Sequence, residues 1–400
     1  MLNTENDLSI LSIDTDTYSD INDIKFSAKN LPFAHNQQTP SCKGNLRYRN
    51  SDFEVLEILS FEPCGFGEHL FLQIEKQSSN TDWVIRQLIK KSGLTRKDIG
   101  YAGKKDRHSI SRQWFSLHLP GKTELIDTKE YIDQLNGDGY QVVNHIRHNK
   151  KLRIGSILRN DFKIVLRELS ENIETSKVEK IRRFGFPNYF GYQRFGHDYN
   201  NLNLANELLT GGMKINNRNK RGLVLSSARS YLFNLQLASR VRENNWNSEL
   251  DGDCFMLNQS RSYFFNKDSN DSKKFKNEKN LKEQKKNIDE HVTIEKRLEG
   301  GDIHICGWLP GKQLSESTLQ SKELEDKANN KMSGWIDGLY KLGIDSSRRS
   351  YRTIAVDLKC VQTENIATIS FSLPSGSYAT VLLRELVDFK DLSLERDITN

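Results

Sequence analysis

The stretch GYAGKKDRHSISRQW, residues 100–114, sets one carboxylate, Asp106, among Lys104, Lys105 and Arg107. Neighbouring positive charge favours the ionised form of an aspartate and lowers its pKa. Such a group is a poor acid at neutral pH and is available as a nucleophile or an ion-pair partner. A surface turn with weak ion pairs would use the same residues. A second stretch, GFPNYFGYQRFGHDY (185–199), interleaves Tyr189, Phe190, Tyr192 and Phe195 with Asn188, Gln193 and Arg194. Rings that stack on an unstacked base, an amide that reads its edge and an arginine for phosphate are what single-stranded RNA recognition uses. A turn whose aromatics join the core is the other reading of this stretch.

Three segments are basic. HIRHNKKLRIGSILRN (145–160) holds Arg147, Lys150, Lys151 and Arg153 with no intervening acid; RNKR (218–221) holds Arg218, Lys220 and Arg221; the third is the loop with Lys104 and Arg107. One such segment is explained by solvation alone. Three of them point to a surface that tracks phosphates. Other chemistries lack parts, since no phosphate-cradling G-x-x-x-x-G-K-[ST], no G-x-S-x-G, no H-E-x-x-H and no deaminase zinc signature occurs.

The elements that must position these residues show in the hydrophobic pattern. TDWVIRQLIKKSG (81–93) puts Val84, Ile85, Leu88 and Ile89 on one helical face, with Thr81 or Asp82 as the cap and Gly93 as the stop. Phe115, Leu117 and Leu119 alternate with Trp114, Ser116 and His118, so the Asp106 loop leads into a half-buried strand. Phe162, Ile164 and Leu166 mark a second strand, and Ile369, Phe371 and Leu373 a third that stops at Pro374. Helical periodicity runs through 226–241 and resumes over 378–386. Strands and helices without regular βαβ alternation predict an α+β fold.

The chain has 400 residues, 36% hydrophobic and 28% charged, with a formal net charge of +6. That length predicts two domains. The charge permits a nucleic-acid partner without requiring one. Five scattered cysteines, with no C-x-x-C pair, give no zinc site, so no metal is expected. No apolar run approaches the roughly 20 residues that cross a bilayer, and no signal segment opens the chain, so a cytoplasmic protein with no membrane partner is expected. Residues 1–40 are rich in Asp, Asn, Thr and Ser and read as a loose extension. Residues 266–290 hold too few apolar side chains to offset their ordering entropy and read as a mobile insertion.

Taken in order, SDFEVLE (51–57), AGKKD (102–106) with Gln113 and Trp114, HNKKLRIG (148–155), PNYFGYQRFG (187–196), RNKRG with SSARSYLFN (218–234) and LPSGSYATVLLREL (373–386) resemble the TruD family of pseudouridine synthases. The resemblance spans about residues 43–390 and is weakest over 243–350. It implies a catalytic domain on a mostly antiparallel mixed sheet, residues 41–212 and 352–400, interrupted by an inserted α/β TRUD domain at 213–351. It also implies isomerisation of a uridine, most specifically uridine 13 of tRNA, without cofactor or metal; the oligomeric state is left open, with a monomer favoured.

By the same resemblance Asp106 matches the catalytic aspartate, which attacks the sugar C1′, attacks the base C6, or assists a glycal route. Phe190 matches the ring that stacks on the target base; Asn188, Phe53 and Tyr378 match substrate contacts. Two positions depart from the family pattern: Tyr378 stands where bacterial relatives carry phenylalanine, and Arg47 where a lysine is more usual. Arg47 and Lys105 are the expected charge partners of Asp106. Lys104, Arg107, Arg147, Lys150, Lys151, Arg153, Arg194, Arg218, Lys220 and Arg221 are the expected phosphate contacts. The alternatives are a synthase for another RNA and a noncatalytic RNA-binding protein on the same scaffold; loss of the Asp of AGKKD or the Asn of PNYF would mark the latter, and both are present.

Overall fold

A computed structural model describes residues 26–27, 31–36, 38–121, 129–265 and 293–396, which fall into two compact units. The segment 266–290 lies outside the described residues. One unit joins residues 39–183 to 355–379 and 383–400; the other joins residues 184–354 to the N-terminal residues and to 380–382.

The first unit is built on a mixed sheet. Before the chain enters the second unit it lays down β1 (Lys43–Leu46), β2 (Phe53–Leu59), β3 (His69–Gln77), β4 (Ile99–Tyr101), β5 (Ile110–His118), β6 (Tyr140–His148) and β7 (Ile157–Arg167). The second unit contributes β8 (Phe186–Pro187), β9 (Cys254–Leu257), β10 (Tyr263–Phe265), β11 (Ile303–Leu309), β12 (Ser347–Ser350) and β13 (Arg352–Thr353). The chain then returns as β14 (Val356–Thr363), β15 (Ile366–Pro374) and β16 (Asp388–Asp391). The sheet order is β14-β15-β7-β2-β5-β3-β6, with β4 beside β5 and β1 joining β7 to β16. Only β2 with β5 and β1 with β16 run parallel among the described strands. Fold class is therefore α+β, as the irregular alternation predicts.

Burial explains the register. Ile164 and Leu166 of β7 are buried, and antiparallel pairing puts Ile164 opposite both Phe53 and Ile369. Helix α1 (Thr81–Ser92) buries Val84, Ile85 and Leu88 against Leu70, Leu72 and Ile74 of β3 and Phe115 and Leu117 of β5. Its cap is Asn80, whose side chain accepts from the Trp83 amide at 2.8 Å, so the first helical turn begins one residue earlier than the pattern suggested. Gly93 ends it at φ 71, a conformation that favours glycine. The opposite face of β3 and β5 packs Phe71 and Trp114 with Ala102 and Leu152. Thus β5 is buried on both faces, not one: it lies between β2 and β3 and under two layers, and Ser116 is as inaccessible as Phe115.

In the second unit the long helix Arg218–Arg242 is the spine, with fourteen buried residues from Val224 to Val241. Asn234 and Gln236 use their amides as backbone substitutes: Gln236 pairs with both the N–H and the C=O of Trp308 on β11. Arg240 and Asp253 form a buried pair at 2.6 Å. Residues read as a loose extension are packed here where they are described. Phe26 lies against Tyr231 and Trp335 with centroids 5.2 and 5.3 Å away, and the Ala34 amide donates to the Tyr189 hydroxyl. The helix over 378–386 is shorter than its periodicity, covering Ala379–Leu383.

Asp52, 1% exposed, sets the entry of β2: its carboxylate takes three contacts from Arg167 at 2.8–3.1 Å and one from the Arg49 amide at 2.9 Å. Asp52→Ala should leave those donors unmatched, costing about 2 kcal/mol and lowering the melting temperature by roughly 4–8 °C. Thermal unfolding followed by circular dichroism checks this; an unchanged midpoint contradicts it.

Candidate active site

The loop between β4 and β5 carries Asp106, and four buried polar side chains, Lys76, Thr81, Ser109 and Gln113, hold the loop in shape. Lys76, on β3 and 1% exposed, donates to the carbonyls of Ser79 at 2.6 Å and Asp106 at 2.9 Å. Ser109 Oγ donates to the same Asp106 carbonyl at 3.1 Å. Thr81, at the start of α1, accepts from the Lys105 amide at 2.9 Å and donates to Gln113 Oε1 at 3.0 Å, while the Gln113 amide donates to the Gly103 carbonyl. Backbone held at both ends of the turn leaves the Asp106 side chain projecting, 56% exposed.

Its carboxylate meets one buried cation. Arg47, which follows β1 with φ 55, is 3% exposed; Nη2 donates to Asp106 Oδ2 at 3.2 Å and Nη1 donates to Asp391 on β16. The guanidinium lies 4.2 Å over the ring centroid of Phe53, itself 4% exposed. Phe53, Arg47 and Asp106 are therefore brought together within the first unit.

Lys105 goes elsewhere. Its ammonium sits 2.6 Å from Glu57, a fully buried carboxylate that also accepts from the Trp114 amide at 3.1 Å. Burial pushes the Glu57 carboxyl up, and Lys105 opposes that shift. A lysine adjacent in sequence to Asp106 thus pairs with Glu57 and not with the Asp106 carboxylate. Its role is to pin the loop on β2.

The expected phosphate contacts divide in the same way. Lys104, Arg107, Lys150, Arg153, Arg218, Lys220 and Arg221 are exposed, Lys104 pairing with Asp82 at 2.7 Å. Arg107 borders a cleft of about 620 Å³ with Ser78, Asn80, Trp83 and Asp138. Arg147, by contrast, is 6% exposed on β6, its guanidinium directed to the Gly67 carbonyl, and Lys151 donates to the Lys97 carbonyl. Arg194 lies along the long helix, donating to Ser226 and Ser230. These three are committed to the protein, a distinction that charge counting does not make.

In the second unit Asn188 and Phe190 form one cluster. Arg349 on β12 donates to Asn188 Oδ1 at 2.6 Å and to its carbonyl at 3.1 Å, and lies 4.0 Å over the Phe190 ring. Asn234 clamps the Phe190 backbone from both sides, at 2.9 and 3.0 Å. Phe190 is only 8% exposed, with Phe233 against its edge. Tyr378, just beyond β15, is half-buried.

Sequence reading missed Lys76, Glu57, Asp391 and Arg349. Two of these had a legible signal. Lys76 occupies the register of Leu70, Leu72 and Ile74, and Glu57 that of Phe53 and Val55, so each is a charge on the buried face of its strand.

Comparisons with known proteins give one family for the chain. The family model described as "tRNA pseudouridine synthase D (TruD)" matches residues 33–216 and 200–386. A tRNA pseudouridine synthase D of Methylococcus capsulatus is 39% identical over 363 residues, 90% of this chain and 94% of the relative. The protein of that name from Hydrogenovibrio crunogenus is 35% identical over 367 residues, 91% and 98% of the two chains. In fold, the chain resembles the crystal structure of the putative tRNA pseudouridine synthase D from Methanosarcina mazei, with TM-score 0.61 and 19% identity across 90% of this chain and 97% of that one.

Burial draws the Lys76 amine down to about 8 from 10.5, against the pull of the Asp106 charge. Between those values the unfolded chain binds more protons, so this group's contribution to stability rises with pH. The charge that grips the Asp106 carbonyl is lost over the same range. Turnover should therefore fall as pH rises through about 8, and Lys76→Met should run at a low rate with that limb removed. A wild-type profile that stays flat well above that pH, measured as single-turnover rate, contradicts the assignment.

Proposed function

The chain belongs to the TruD family of tRNA pseudouridine synthases, and we propose that it converts uridine 13 of tRNA, with Asp106 as the nucleophile. Its reaction class is isomerisation: the N-glycosidic bond of a uridine breaks, the base turns, and a carbon–carbon bond to C1′ forms with no net redox change. One observation supports the assignment of Asp106 above any other. It is a half-exposed carboxylate on a loop whose backbone is held by buried groups, beside one buried cation.

In this reading the target nucleotide is extruded from folded RNA, at a cost of a few kcal/mol. Stacking and phosphate contacts offset that cost. Asp106 then attacks C1′ or C6, or assists glycal formation, with Arg47 balancing its charge. Phe53 is assigned to the substrate by the family resemblance, with its buried ring supporting Arg47 from below. Asn188 and Phe190 are assigned to the base, and Tyr378 to the substrate. Stacking on Phe190 requires the packing around its 8%-exposed ring, which includes Arg349 at 4.0 Å and Arg194 at 5.7 Å, to open. Lys104, Arg107, Lys150, Arg153, Arg218, Lys220 and Arg221 are retained as phosphate contacts. We assign 213–351 as the inserted domain and the cytoplasm as the place of action.

The test uses total tRNA from a strain lacking its own enzyme for this position. Wild-type protein should introduce pseudouridine at position 13; Asp106→Asn should bind tRNA within about threefold of wild type and introduce none. Appreciable activity in Asp106→Asn removes the nucleophile assignment, and conversion at another position or in another RNA removes the uridine 13 assignment.

A further inference from the structure

Asp391 shares the arginine that faces Asp106. It closes β16, which pairs in parallel with β1 so that Asp391 stands opposite Leu46, the residue before Arg47. Its Oδ1 accepts from Ser393 at both the amide, 3.1 Å, and the hydroxyl, 2.7 Å, and its Oδ2 accepts from Arg47 Nη1. The carboxylate is 3% exposed, so it is fixed by Ser393 on one side and Arg47 on the other. A backbone bond from the Leu392 amide to the Leu46 carbonyl, 3.1 Å, ties the two segments together.

The geometry has a chemical consequence. A guanidinium facing a lone carboxylate tends to a two-pronged pair that occupies both oxygens. Here one prong is held by Asp391 and the plane is held over Phe53 at 4.2 Å, so Asp106 meets Arg47 through Nη2 alone. We infer that Asp391 is a positioning residue for the reaction: by occupying the other end of Arg47 it aims the guanidinium at one oxygen of Asp106 and leaves the second oxygen open to the substrate. This rests on Asp106 being the nucleophile, as proposed above.

Asp391→Asn keeps the shape and the Ser393 contact but removes the charge that anchors Nη1. In the full-length protein, on an unmodified tRNA transcript, it should lower the single-turnover rate by at least about tenfold, with the tRNA dissociation constant within about twofold at fixed salt. In an Arg47→Lys background, which has no fork to aim, the same substitution should change the rate by less than about twofold. A role in stability alone would give equal factors in both backgrounds, and that result, or a rate within about twofold of wild type in the first, overturns the inference. Should Asp391→Asn not fold, Ser393→Ala decides by the same criterion, with an expected loss of a few-fold confined to the Arg47 background. Asp106→Asn measured alongside separates the two ideas: if it is inactive while Asp391→Asn is neutral, only the role of Asp391 falls, and if it is active, the nucleophile assignment falls.

Discussion

The candidate site depends on one buried cation, Arg47, shared between two carboxylates. It is 3% exposed, stacked on Phe53, and divided between Asp106 and Asp391. Burial of an arginine is tolerable only with hydrogen-bonded partners of opposite charge. An arginine suits this position physically: a planar fork can serve two carboxylates and a ring face at once, which a single ammonium does less directionally.

Much of the first unit is arranged around this contact. Strand β1 places Arg47, β16 places Asp391, β2 places Phe53 and Glu57, and β5 begins where the Asp106 loop ends. Parallel pairing of β2 with β5 sets Glu54 opposite Ile110, which brings the start of β2 alongside the end of the loop. Lys76 and Gln113 then fix the loop from below through its carbonyls, so Asp106 is presented by backbone geometry rather than by its own side-chain contacts. Deep burial of these partners makes the arrangement costly to lose in parts.

Sequence alone was informative about pattern and motif, and uninformative about direction. Alternation revealed β5, β7 and β15, and the ordered motifs singled out Asp106, because both signals are local in the chain. Lys105 read as a charge partner of Asp106 and Arg147 as a phosphate contact, yet one is paired with Glu57 and the other buried on β6, since charge type does not disclose which way a side chain points. Asp391 was out of reach: its partner lies 344 residues away, and only the β1–β16 pairing joins them. Lys76 and Glu57 were within reach, as charges in an apolar period-two register.

Arg47→Gln, which keeps hydrogen bonding but removes the charge, tests the central claim most directly. Single-turnover pseudouridine formation on tRNA, measured with tRNA affinity on the same preparation, should fall by at least about a hundredfold while affinity changes by no more than about threefold. A variant that forms pseudouridine at nearly the wild-type rate would contradict the view that one buried, shared arginine keeps the Asp106 carboxylate ready to react.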